Sequence, residues 1–112
     1  MLKLRFQLRI EDQDTSSEPG IGDQLPLFAR VHYRDNSGSE ATWSQGFYVT
    51  TDSTGTIRGA QPVTRSFWTD VSFDLFDPTV ASPRPSEILW IEFAATGGNF
   101  HSDVGNVQVL VD

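Results

Sequence analysis

From Leu2 to Ile10 the chain alternates without a break: Leu2, Leu4, Phe6, Leu8 and Ile10 are apolar, and Lys3, Arg5, Gln7 and Arg9 are polar. A period of two puts successive side chains on opposite faces of an extended strand, whereas the turn of a helix would mix the two sets on one surface. This run is therefore a strand with one face buried and one in water. The pattern recurs in LFARVHY, where Leu27, Ala29, Val31 and Tyr33 oppose Phe28, Arg30 and His32. RDNSGSE follows, offering Asp, Asn and Gly for a tight turn, and then ATWSQGFYV, so the two runs read as a hairpin. SFWTDVSFDL, SEILWIEFAA and GNVQVLV add further strands rich in aromatic and β-branched residues. No segment sustains a helical period.

Six strands, or seven to eight if short ones lie in IRGAQPV and elsewhere, point to an all-β, antiparallel two-sheet β-sandwich of jelly-roll type, with barrel closure as the rival. At 112 residues this is one domain, 1–112, able to bury a core without metal or disulfide. The first strand, Leu2 to Ile10, is expected to pair antiparallel with the last, Gly105 to Val111. The expected core is Leu4, Phe6, Leu8, Val31, Phe73, Ile91, Phe93, Val107 and Val109. Because the chain begins and ends in strands, it reads as a module of a larger protein.

Composition narrows the function classes. Fifteen acidic residues against eight basic ones give a net charge of −7, which argues against nucleic acid or an anionic membrane as the partner. The absence of cysteine removes thiolate chemistry. No apolar run approaches the roughly 18 residues of a membrane span, and the alternating amino end is unlike a signal peptide.

Chemistry-bearing residues are few. His101, Ser102 and Asp103 are adjacent, and in an extended strand His101 and Asp103 share a face that Ser102 does not, so the order needed for a nucleophilic triad fails. The loop DQDTSSEPGIGD offers Asp12, Asp14, Glu18 and Asp23 as calcium ligands near the spacing of a calcium loop, although Ser17 stands where that loop needs glycine. A solvated acidic loop is the alternative. Lys3, Arg5, Arg9, Arg30 and Arg34 would form a basic stripe if their strands shared a sheet, or would pair with acids such as Glu92 and Asp70. By phase, Phe67, Val71 and Phe73 share one face and Leu89, Ile91 and Phe93 another. Trp68 and Trp90 are then left on polar faces, with Tyr48 out of phase with Trp43 and Phe47. Flat aromatic faces beside amides and charges suit sugar rings. Coverage by loops or a partner domain is the alternative.

The stretches LPLFARVHYRDNSGSEATWSQGFYV, FWTDVSFDL and PSEILWIEFAATGGNFHSDVGNVQVLV resemble the galactose-binding-like and carbohydrate-binding-module-like β-sandwich domains. They are similar in particular to C-terminal domains of FecR-type bacterial surface proteins. Ala95, Gly97, Phe100, Ser102 and Val104 carry the shared cadence, and Gly105-Asn106-Val107 stands where many such modules have Asp-Asn-Val. The resemblance implies a noncatalytic, extracytoplasmic accessory domain. The phase of the residues themselves offers Trp68, Trp90 and Tyr48, with Arg30 and Arg34 nearby, as ligand contacts, with carbohydrate as the ligand class and no catalytic cofactor. A structural domain packing against other domains of a parent protein is the competing expectation.

Overall fold

The computed structural model describes residues 1–14, 25–49, 59–96 and 99–111. Seven strands run in chain order: β1 (Leu2–Asp14), β2 (Leu25–Asp35), β3 (Glu40–Val49), β4 (Ala60–Val63), β5 (Thr69–Asp74), β6 (Pro85–Thr96) and β7 (Asn99–Val111). They form two sheets packed face to face, one ordered β5-β1-β7 and the other β4-β3-β2-β6. The protein is an all-β sandwich. Every pairing is antiparallel except β3 with β4, which is parallel. A jelly roll is eight strands in two Greek keys, and the seven described strands do not spell that arrangement.

The first and last strands pair antiparallel, with Leu2 opposite Val111 and Leu4 opposite Val109. β2 and β3 form the expected hairpin, closed by Asp35 to Ser39. There the Asp35 carboxylate accepts from the backbone N–H groups of Ser37 and Ser39, at 2.9 and 3.0 Å, and Gly38 adopts a φ of +83°. The apolar faces meet between the sheets. Leu4, Phe6, Leu8 and Ile10 of β1 lie against Leu27, Ala29, Val31 and Tyr33 of β2 and Trp43 and Phe47 of β3. Phe6 is the aromatic hub, with ring centroids 5.8 Å from Phe47, 6.4 Å from Phe73 and 5.0 Å from Phe93.

Three face assignments need correction. In β6 a register irregularity falls between the partners of His32 and Tyr33, so Ile88 rather than Leu89 packs inward beside Ile91 and Phe93. Phe67 precedes β5, just after Ser66 with its φ of +65°, and is exposed rather than sharing the buried face of Val71. In β7 two residues, Asn106 and Val107, stand opposite Phe6, and Asn106 has a φ of +53°. Val104 packs against the core, but Val107 and Val109 are 46% and 42% exposed. Val109 does pair with inward-facing Leu4; it is exposed because β7 is an edge strand whose counterpart in the other sheet is chiefly β2, leaving β6 to one side.

Candidate functional site

Among the described residues, the outer face of the β4-β3-β2-β6 sheet brings exposed aromatic and charged groups together. Alternation along β2 sends Arg30, His32 and Arg34 outward, and the antiparallel register sets His32 directly opposite Trp90 of β6. The two rings stack, with centroids 4.1 Å apart and planes 23° from parallel, and Trp90 remains 51% exposed. Glu92, two residues along β6, ties the group together. Its Oε1 accepts from His32 Nε2 at 3.0 Å and from Arg30 Nη1 at 3.1 Å. A carboxylate only accepts, so the Nε2 nitrogen of His32 carries a hydrogen, and Nδ1 lies 3.5 Å from the Thr42 hydroxyl. The hydrogen bond from His32, then the Arg30 charge, hold the Glu92 carboxyl below its ordinary range. Arg30 also lies over the Phe28 ring at 4.8 Å. Arg34 sits between Glu40 and Glu87, 3.8 Å from each. Beside Trp90 is a shallow depression of about 170 Å³ lined by His32, Glu40, Ala41, Thr42 and Leu89.

The sequence thus finds Trp90, Arg30 and Arg34 on one face but does not join them to the other expected contacts. Tyr48 is only 2% exposed and presents no surface to a ligand. Trp68, 48% exposed, lies on the outer face of the other sheet, its ring 4.8 Å from the Arg9 guanidinium carbon and its edge against Gly105. The two tryptophans cannot form one platform, because the thickness of the sandwich separates them. The basic stripe fails for the same reason, since Lys3, Arg5 and Arg9 belong to one sheet and Arg30 and Arg34 to the other. The alternative of pairing with neighbouring acids holds for Arg30 with Glu92 and Arg9 with Asp103. His32 was missed because a lone histidine in alternation carries no signal until its cross-strand partner is known.

A second polar cluster lies near Trp68. Arg9 donates to Asp103 at 2.9 Å and stands 3.3 Å from Glu11, and His101 Nε2 is 3.6 Å from Glu11 and 3.7 Å from Asp103. The hydrogen bond from Arg9 holds the Asp103 carboxyl below its ordinary range. Glu11, His101 and Asp103 could together hold a metal ion, but Arg9 already meets both carboxylates and an ion would have to displace it. Ser102 points the other way, donating to the Pro26 carbonyl at 2.8 Å, so the adjacent His, Ser and Asp do not form a relay. Of the proposed calcium ligands, Glu18 and Asp23 lie outside the described residues. Asp12 and Asp14 continue β1 opposite His101 and Asn99, and their side chains are outside what is described.

Comparison of the chain with protein-family models, with curated proteins and with solved structures returned no match.

Proposed function

We propose that the protein is a noncatalytic, extracytoplasmic binding module that recognises carbohydrate on the outer face of the β4-β3-β2-β6 sheet. The observation that carries this reading is the exposed Trp90 ring, held flat by stacking on His32 and bordered by the Arg30–Glu92 pair. An aromatic plane packs against the C–H face of a sugar ring, while fixed charged and amide groups at its border meet the hydroxyls. The depression beside Trp90 has room for a single ring and little more, which suits a surface subsite on a polysaccharide. The galactose-binding-like cadence of the sequence supports the same class and the same extracytoplasmic setting.

Titration with a panel of soluble polysaccharides, followed by calorimetry, tests this. Trp90→Ala is expected to abolish binding while leaving the melting temperature near that of the parent, because half of the ring is already in water. Trp68→Ala is expected to bind as the parent does. Absence of binding across the panel, or a Trp90→Ala variant that binds unchanged, overturns the reading. In that event the structural alternative, a domain packing within a larger surface protein, takes its place.

A further inference from the structure

Where β1 begins, β7 ends and β6 begins, a cleft of about 490 Å³ opens between the two sheets. Its volume lies within the range of small-molecule sites. The apolar part of the lining comes from both sheets. Leu2 and Val111 stand opposite each other on β1 and β7, Ile88 belongs to β6, and Phe76 follows β5. Val111 is 74% exposed, and Phe76 and Ile88 are partly buried. Hydrogen bonds within the fold pin these walls without any occupant. The Asp74 carboxylate accepts from the backbone N–H groups of Leu2 and Phe76 at 3.2 and 3.0 Å, and the Leu2 carbonyl accepts from the Leu75 N–H at 2.7 Å. On the other sheet the Ser86 hydroxyl donates to the Asp35 carbonyl at 2.9 Å, which ties the start of β6 to the β2–β3 turn. One charged group of the lining is left over. Arg84 is exposed, lies over the Phe76 ring at 3.9 Å and has no carboxylate partner among the described residues. Glu87, the acid of the lining, stands 3.8 Å from Arg34.

We infer that this cleft binds a small aliphatic carboxylate, its chain against Leu2, Ile88 and Val111 and its carboxylate on the Arg84 guanidinium. Each half of the ligand matches one half of the lining. An aliphatic chain laid against these side chains removes apolar surface from water, which drives binding in clefts of this kind. Stacking on Phe76 holds the guanidinium plane, while its N–H groups lie in that plane and remain free to take a carboxylate through two parallel hydrogen bonds. The sign of the ligand's charge follows from which groups are already matched. Glu87 faces Arg34 and Asp74 is engaged by two backbone N–H groups, so Arg84 is the charge of the cleft that lacks a counterpart. The net charge of −7 opposes an anion at long range, but that field is screened over about 8 Å at physiological ionic strength, whereas Arg84 acts in contact. The site is separate from the carbohydrate face, since Trp90 is not among the residues that line it.

Titration with sodium octanoate, followed by amide and methyl chemical shifts, tests the inference, with folding of each variant checked by circular dichroism. Octanoate is expected to move the resonances of Leu2, Phe76, Ile88 and Val111 saturably in the millimolar range. Octan-1-ol and octylammonium carry the same chain without the anion, and each is expected to bind about tenfold more weakly. Arg84→Gln, at an exposed position, is expected to lower the octanoate affinity about tenfold and to erase the preference over octan-1-ol. Asp112 follows Val111 and lies outside the described residues, so the titration is repeated with Asp112→Asn, which is expected to bind at least as tightly as the parent. Trp90→Ala is expected to bind octanoate as the parent does. Absence of saturable shifts at millimolar octanoate overturns the inference. So does equal binding of the three octyl compounds, or an Arg84→Gln variant with the parent's affinity.

Discussion

At the scale of single residues, Phe6 joins aromatic rings from both sheets. It is buried to 1% exposure and touches rings from β3, β5 and β6, so its removal leaves a cavity that several elements would have to collapse into. Phe6→Ala is expected to cost about 3 to 5 kcal/mol in chemical denaturation. Phe93→Ala is expected to cost less, because Phe93 is only partly buried. Equal losses would show that Phe93 is enclosed as fully as Phe6 in solution. Tyr33 illustrates a second residue-scale constraint. Its hydroxyl is carried into the interior, donates to the Pro83 carbonyl at 2.7 Å, and has its pKa raised by burial first and by the Asp35 charge second.

At the scale of elements, turns and bulges decide which face each side chain occupies. The β2–β3 hairpin depends on Gly38 at a φ of +83°, where a Cβ would meet no neighbouring atom. Gly38→Ala is therefore expected to destabilise through backbone strain alone, by about 1 kcal/mol, with no change in the shape of the unfolding transition. A neutral substitution would mean that the turn relaxes to another conformation. The irregularity in β6 shapes the packing next to the site, because it lets Ile88 and Ile91 both face inward on either side of outward-facing Trp90. Without it, strict alternation would carry Ile88 outward together with Trp90.

For the whole molecule the excess of acid sets the response to pH. Asp35, Asp74, Asp77, Glu92 and Asp103 all have pKa values lowered in the fold: Asp35 chiefly by the Ser37 hydroxyl, Asp74 and Asp77 by backbone N–H groups, Glu92 by His32 and Asp103 by Arg9. A depressed folded pKa means that the unfolded chain binds the proton more readily, so these groups stabilise the fold above their ordinary values of 3.8 for aspartate and 4.5 for glutamate. That contribution drains away as the pH falls through the lower, folded values. The melting temperature is expected to be flat from neutrality to about pH 5 and to fall steeply below pH 4. Arg9→Gln should make the acid slope shallower by removing the main cause of the Asp103 shift. An identical slope in the variant would assign the acid response to the other carboxylates.

The sequence alone determined the all-β sandwich, the β2–β3 hairpin, the antiparallel pairing of first and last strands, and the outward phase of Trp68, Trp90, Arg30 and Arg34. The strand character, the hairpin and the outward phases follow from a period of two and from local turn chemistry, which any stretch of chain expresses without reference to its neighbours, and the first–last pairing from the need to protect an edge strand. What only the tertiary structure decided is how the remaining strands are ordered between the two sheets and in which register. That assignment put Trp68 and Trp90 on opposite outer faces, divided the basic residues between two sheets, joined His32 to Trp90 and Glu92, and left Val107, Val109 and Val111 of β7 exposed. Strand order and register are set by contacts between residues far apart in the chain, and a single bulge reverses every face beyond it.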